Sequence, residues 1–258
     1  IDQSRYEIVA VTGNSMGWYL ALAAAGVTDP FGSGIHLVEQ MAQLMDEQGV
    51  GGQLLYPLMD DDWRWLPERV RLVEQVIDET QDLFLSIRLG GSLVLAGSEE
   101  GLREAESRLP VVADQYPARL VRHAAFHTPL LQHVSERAVE LLSPHDFVSP
   151  SLTLIDGLGD IWSPGSDASA LYDYTLGTQV VAPYNFRRAI EVAVQEFAPD
   201  RVIVLGPGKA MGAPVLQTLA ALDWLGLDSR EAWFERQSRD PFVLAMGIAE
   251  QREQVIAL

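Results

Sequence analysis

The chain has 258 residues, 48% of them hydrophobic, which suffices for one large domain or a domain with a subdomain and excludes a disordered chain. A formal net charge of −18 repels phosphate backbones and anionic lipid, so neither nucleic acid nor a membrane is expected as a partner. The absence of cysteine removes disulfides, thiolate metal sites and a cysteine nucleophile together. The longest apolar run, near Trp18 to Val27, is far below the roughly 20 residues that span a bilayer, and a cytoplasmic location is expected.

Ile8-Val9-Ala10-Val11 reads as a short buried strand ending at Thr12-Gly13. Residues 16–26 are apolar and Ala-rich and predict a helix closed by Gly26. A second helix is predicted over 35–48, with Leu37, Met41, Leu44 and Met45 on one face. The pattern then changes to a strand at 51–59, a charged helix at 62–81, and two strands at 83–89 and 92–96 around the hairpin signal Gly90-Gly91. A helix over 99–109 and a strand over 117–124 complete a βαββαβ order, the ferredoxin-like arrangement. The expected division is a small inserted subdomain at 50–122 within a larger one formed by 1–49 and 123–258. Beyond it, a helix at 128–143, a strand at 152–155, a loop at 157–168, a helix at 185–197 and a strand at 201–205 point to an α/β domain with a mostly parallel sheet.

Gly13-Asn14-Ser15-Met16-Gly17 is a GxSxG sequence between a predicted strand and a predicted helix, the context of a hydrolase-like nucleophile elbow. The turn would hold the Ser15 hydroxyl out at a helix N-terminus, where the Met16 N–H can stabilise an oxyanion. An ordinary Gly-Ser turn is the plainer reading. Serine needs a base, and five histidines are available: His36, His123, His127, His133 and His145. His36 and His133 fall on predicted helices and His145 in a Ser-Pro-His-Asp turn. His127 sits where a strand gives way to a helix, a usual place for catalytic groups, although position alone leaves His123 as an alternative.

Gly13-Asn14-Ser15-Met16-Gly17, Ala125-Phe126-His127-Thr128-Pro129-Leu130-Leu131 and Val204-Leu205-Gly206-Pro207-Gly208-Lys209 occur in an order and spacing that resembles the malonyl-CoA:acyl-carrier-protein transacylase family, including acyltransferase domains of polyketide synthases. Leu176 to Gln179 and Pro183 to Phe186 also look like that family's stretch before its last sheet strand. The resemblance covers nearly the whole chain. It implies Ser15 as the acylated nucleophile, His127 as its base held by backbone carbonyls, acyl-CoA as substrate with no bound cofactor, and an acyl carrier protein as partner. Asn14, Met41, Ser86, Arg88 and Phe126 form the expected acyl-binding set. Carrier docking on so acidic a chain would need a local basic patch, for which Arg187, Arg188 and Lys209, the only lysine, are candidates.

Three departures from the family pattern stand out. Its N-terminal Gly-Gln-rich segment, a source of the second oxyanion donor, is absent, and an upstream piece is expected. Met41 occupies the position of the arginine that pairs with a malonyl carboxylate, and a thioether leaves such a charge unpaired; Met41 read simply is a core residue. Ser86-Ile87-Arg88 replaces an Asn-x-Asn strand, and strand alternation would put Ser86 and Arg88 on one face, where Arg88 can restore the missing charge; its plainer reading is a solvated arginine. Gly206-Pro207-Gly208-Lys209 lacks the spacing of a phosphate loop. Asp60-Asp61-Asp62 reads as an acidic helix start, and no metal site is expected. The expected function is a ping-pong acyltransferase; the alternatives are an acyl-thioester hydrolase on the same scaffold and a non-catalytic carrier-docking domain.

Overall fold

The computed structural model describes residues 1–206 and 208–256. The first strand, β1 (Val11–Thr12), runs into the turn that carries Ser15 and then into α1 (Gly17–Ala24), which is followed by α2 (Ser33–Gln48). Next come β2 (Gly52–Pro57), α3 (Pro67–Glu79), β3 (Leu83–Leu89), β4 (Ser92–Gly97), α4 (Glu99–Arg108) and β5 (Ala118–Leu120). A 3₁₀ turn at Pro129–Leu131 leads into α5 (Gln132–Leu141), and β6 (Leu154–Ile155), β7 (Ile161–Trp162) and α6 (Ala168–Asp173) follow. A π-helical turn at Tyr174–Thr178 joins α6 to the single turn α7 (Gln179–Val181). The chain ends through β8 (Tyr184–Asn185), α8 (Phe186–Phe197), β9 (Val202–Val204), α9 (Gly212–Ala221), α10 (Arg230–Arg239), β10 (Val243–Ala245) and α11 (Ala249–Val255).

The strands build three sheets. Five of them lie in the order β5-β2-β4-β3-β8, antiparallel except for the parallel β3–β8 pair. A separate core of Leu54, Tyr56, Val73, Val76, Leu95 and Leu102 joins this sheet to α3 and α4. Alternation along β2 and β4 supplies those inward residues, as the period of two requires. The parallel pairs sit elsewhere: β1 pairs with β6, which β7 flanks in antiparallel fashion, and β9 pairs with β10. The main core, with Trp18, Leu22, Leu37, Leu131, Leu176 and Leu219 fully or almost fully buried, packs α1, α2, α5 and α9 around these pairs.

Several expectations shift. The predicted mostly parallel sheet is two short pieces, because no ladder joins β1 to β9 among the described residues. A cavity of about 980 Å³ lies between them, lined by Ile8 to Thr12 on one side and Val202 to Gly206 on the other. Ile8 to Ala10 accordingly stand outside any ladder, and β1 is two residues long. The expected helix at 62–81 starts at Pro67, whose missing N–H suits the first helical position. Ahead of it, the Asp60 carboxylate accepts from the N–H groups of Asp62 and Arg64, so the acidic triplet forms a turn and not a helix start. The loop expected at 157–168 contains β7, and the strand at 117–124 shortens to β5. Pro207, within the Gly206-Pro207-Gly208-Lys209 motif, lies outside the described residues. Among the described residues, no helix is long and apolar enough to cross a membrane.

Candidate active site

Ser15 sits between β1 and α1 with φ of 54°, in the left-handed region that a serine adopts only when its surroundings enforce it. The enforcement is local. A Cβ on Gly13 would stand 2.0 Å from the Gly17 carbonyl oxygen, so the turn closes only with glycine at 13. Gly17, the other motif glycine, meets nothing within 4 Å and carries no such demand. The Gly17 N–H donates to Asn14 C=O at 2.8 Å and the Trp18 N–H to Ser15 C=O at 2.9 Å. Tyr184, nearly fully buried, donates its hydroxyl to the Gly13 carbonyl. The Met16 N–H makes no hydrogen bond among the described residues, which leaves it free for an oxyanion, while the Met16 side chain is exposed.

His127 lies 112 positions further on, and its Nε2 is 2.7 Å from Ser15 Oγ. Nδ1 is 2.6 Å from the backbone carbonyl of Gln179. A carbonyl only accepts, so Nδ1 carries the proton and Nε2 presents its lone pair to the serine. The ring is buried and stands 5.4 Å from the Tyr184 ring. Burial lowers the imidazole pKa to about 4, partly countered by the hydrogen bond to Gln179. The imidazole is therefore neutral at pH 7 and can accept a proton at Nε2. Its backbone φ is 59°, a second strained position facing the first.

Gln179 connects the two. Its carbonyl fixes the imidazole, its Nε2 donates to the Ser15 carbonyl at 3.2 Å, and its Oε1 accepts from the Tyr19 hydroxyl at 3.1 Å. The π-helical turn just before it is anchored by Trp18 Nε1 on Thr175 Oγ1 and by Ser135 Oγ on Leu176 C=O. Such turns recur at functional positions because they displace the helix carbonyls. Sequence reasoning singled out Leu176–Gln179 and Pro183–Phe186 as a stretch without giving Gln179 or Tyr184 a role. The residue type of Gln179 does not signal its part toward His127, because the carbonyl that matters is present in every residue.

The remaining candidates are dispersed. Met41 is buried in the main core with Leu37 and Leu44. Asn14 borders the 980 Å³ cavity, and its Oδ1 is buried without a hydrogen-bond partner among the described residues. Phe126 is half-buried, with its ring 5.6 Å from that of His123. Ser86 and Arg88 do not share a face: the register between β3 and β4 slips between Leu85 and Ile87, leaving Ser86 fully buried at a bulge and Arg88 exposed. Arg88 is paired in register with Asn185, one residue beyond the Tyr184 that faces His127. Arg187 stacks on Trp65 at 4.7 Å and pairs with Glu191 at 2.8 Å, Arg188 reaches the same carboxylate at 3.7 Å, and Lys209 is exposed. His123 hydrogen-bonds Gln53 at 2.6 Å and lies away from Ser15 Oγ, which is bonded to His127. No cluster of metal-ligating side chains occurs among the described residues.

A strained serine at a helix start, an imidazole of fixed tautomer and a free backbone N–H are the parts of a serine-nucleophile centre on an α/β fold. No family model matches the sequence. Among curated proteins, the malonyl CoA-acyl carrier protein transacylase of Bacillus subtilis is 23% identical over 221 residues, covering 82% of this chain and 67% of the relative. The enzyme of that name from Escherichia coli K12 is 22% identical over 204 residues, covering 78% and 63%. The chain thus spans about two thirds of the length of the curated relatives it matches. Among solved structures, the malonyl-CoA:ACP transacylase of Synechocystis superposes with a TM-score of 0.73 at 18% identity, over 97% of this chain and 74% of that one. A malonyl-transacylase in complex with its type II PKS acyl-carrier protein superposes with a TM-score of 0.66 at 19% identity, over 94% and 70%. The curated relatives and structural neighbours are malonyl-CoA:acyl-carrier-protein transacylases, the family whose motifs the sequence carries.

Proposed function

We propose that the chain is an acyltransferase that moves an acyl group, malonyl in the first instance, from acyl-CoA to the phosphopantetheine thiol of an acyl carrier protein. The observation that carries this reading is the 2.7 Å contact between Ser15 Oγ and His127 Nε2, with Nδ1 held by the Gln179 carbonyl. His127 takes the Ser15 proton as Oγ attacks the thioester carbon. The tetrahedral oxyanion is held by the Met16 N–H. Collapse breaks the C–S bond, and the imidazolium returns its proton to the departing CoA thiolate. The carrier thiol then attacks the acyl-serine by the same steps in reverse, releasing Ser15. A neutral carbonyl behind the imidazole stabilises the imidazolium less than a carboxylate would, which suits a thioester, whose thiolate leaves readily.

The finer architecture follows the same proposal. The strand–Ser15–helix turn serves as a nucleophile elbow, supported by the Gly13 contact and the positive φ of Ser15. Residues 50–122 form a ferredoxin-like subdomain, supported by the β5-β2-β4-β3 order and its own core, set into a larger subdomain of 1–49 and 123–258. Met41 is closed in the core, and Arg88, in register with Leu93 of the separate core and with Asn185, leaves β3 on the face opposite Ser86 and Tyr184, so neither of the two supplies a cation beside Ser15 for a malonyl carboxylate. Lys209 and Arg188 are the carrier-docking cations, with Arg187 largely occupied by Glu191 and Trp65.

Intact-protein mass after mixing with malonyl-CoA and acetyl-CoA tests the reading. A malonyl adduct that is lost in Ser15→Ala and discharged by holo carrier protein is expected. Release as free acid at the same rate with and without carrier would point to a hydrolase, and no adduct with any acyl-CoA to a binding domain.

A further inference from the structure

The hydrogen bonds around the bulge in β3 have no part in the chemistry above, yet they end on the turn that bears His127. Ser86 is fully buried and Gln53 nearly so. Ser86 Oγ donates to the Phe126 carbonyl at 2.8 Å, and Gln53 Nε2 donates to Ser86 Oγ at 2.8 Å. Gln53 Oε1 faces His123 Nδ1 at 2.6 Å. The direction of each bond follows from its end: the Phe126 carbonyl can only accept, so the serine proton points there and its lone pair takes the amide N–H. The amide oxygen is then left for His123, whose Nδ1 carries the proton. No donor or acceptor of Ser86 or Gln53 along this path is wasted.

We infer that Ser86, backed by Gln53, is a positioning residue that fixes the His127 turn from the five-stranded sheet. This rests on the acyltransfer reading of the site. His127 has φ of 59°, a conformation that persists only where neighbours over-determine it. On one side the Ala125 N–H donates to Val50 C=O at 2.7 Å and Thr128 Oγ1 to Ala125 C=O at 2.7 Å. On the ring side stands Gln179. The peptide immediately before His127 is the one that Ser86 holds, and its tilt sets where Nε2 falls relative to Ser15 Oγ. Alternation along β3 explains why a polar residue stands there: residue 86 falls on the face opposite Leu83 and Leu85, away from the core of the five-stranded sheet and on the side that carries Gln53. There the hydroxyl meets the Phe126 carbonyl, and the bulge that follows brings Ile87 onto the same face. Strands β2 and β3 thereby act on the base through one peptide group, and the five-stranded sheet is part of the catalytic frame.

The test is the rate of Ser15 acylation by malonyl-CoA in Ser86→Ala and Ser86→Thr, normalised by active-site titration, together with the His127 imidazole titration followed by NMR without substrate. Ser86→Ala is expected to acylate ten- to hundredfold more slowly with little change in KM, since misplacement of about 1 Å costs that much. Its imidazole should titrate above the native value of about 4, toward that of a free imidazole, as the ring loosens from its buried setting. Ser86→Thr, which keeps the hydroxyl, should restore most of the rate. A folding defect alone would lower the titratable fraction and leave the pH profile in place. Native rate and native titration in Ser86→Ala would overturn the inference. If that variant does not fold, Ser86→Cys keeps the volume with only a weak donor and decides the point in the same way. If the wild type forms no acyl-enzyme, the acyltransfer reading fails by itself, and the imidazole titration still tests what holds His127.

Discussion

The five-stranded sheet and the two parallel pairs carry different duties. In the first, β2, β3 and β4 run six or seven residues, with one bulge in the β3–β4 ladder, and leucines alternate into a core of their own. In the second, β1 and β6 share a ladder of two residues, β9 and β10 one of three, and a cavity of about 980 Å³ separates the pairs. The reactive turn hangs from the weaker framework. What secures it is a set of side-chain clamps rather than ladder length: Tyr184 on Gly13, Gln179 on Ser15 and His127, and Ser86 on Phe126. Stability and chemistry are thus expected to respond to different substitutions.

The largest expected effect is on chemistry alone. Ser15→Ala should abolish the acyl adduct, and His127→Ala should slow acylation by roughly 10²–10⁴, both with little change in thermal midpoint, as read by mass spectrometry and calorimetry. A large drop in midpoint would show that the clamps hold the fold as well as the site. Next comes stability alone. Leu95→Ala, fully buried in the five-stranded sheet, should cost about 2–5 kcal/mol in denaturant unfolding. Val204→Ala, half-buried at the cavity edge of β9, should cost about 1 kcal/mol or less, because only part of its surface leaves water. Equal costs would mean that the parallel pairs are as firmly built as the five-stranded sheet.

The pH dependence joins the two. His127 holds its proton less firmly folded, at about 4, than unfolded, at about 6.5. Between those values the unfolded chain binds more protons, so stability present above pH 6.5 is lost as pH falls toward 4. The loss is on the order of 3 kcal/mol for a shift of this size. His127→Gln should flatten that segment of the stability curve. In the same window the acylation rate should keep its base, with an acid limb near pH 4 and not near 6.5. The smallest effect concerns acyl choice. Arg88→Ala should leave the ratio of malonyl to acetyl transfer unchanged, since Arg88 leaves β3 on the face opposite Ser86 and Tyr184. A selective loss of malonyl transfer in this variant would return carboxylate recognition to Arg88.

Much of this was legible in one dimension. The run from Ile8 through Gly13-Asn14-Ser15-Met16-Gly17 into an Ala-rich helix states a strand, a turn and a helix by local pattern, and the Gly90-Gly91 hairpin does the same for β3 and β4. These features survive because backbone sterics and periodicity act over a few residues. Strand lengths in the parallel pairs did not survive, because a ladder exists only where a partner edge is present. Nor did the shared face of Ser86 and Arg88, since a bulge is set by the register of a neighbouring strand and leaves no mark in the alternation itself. The choice of His127 over His123 was open from position. It closes only when contacts spanning 112 and 52 positions bring Ser15, His127 and Gln179 together. The sequence by itself determined which side chains could do chemistry and what local turn would present the serine. Only the tertiary structure decided which histidine reaches it, which carbonyl fixes that histidine's tautomer and how deeply it is buried, because distance, hydrogen-bond direction and desolvation belong to packed neighbours and not to the order of residues.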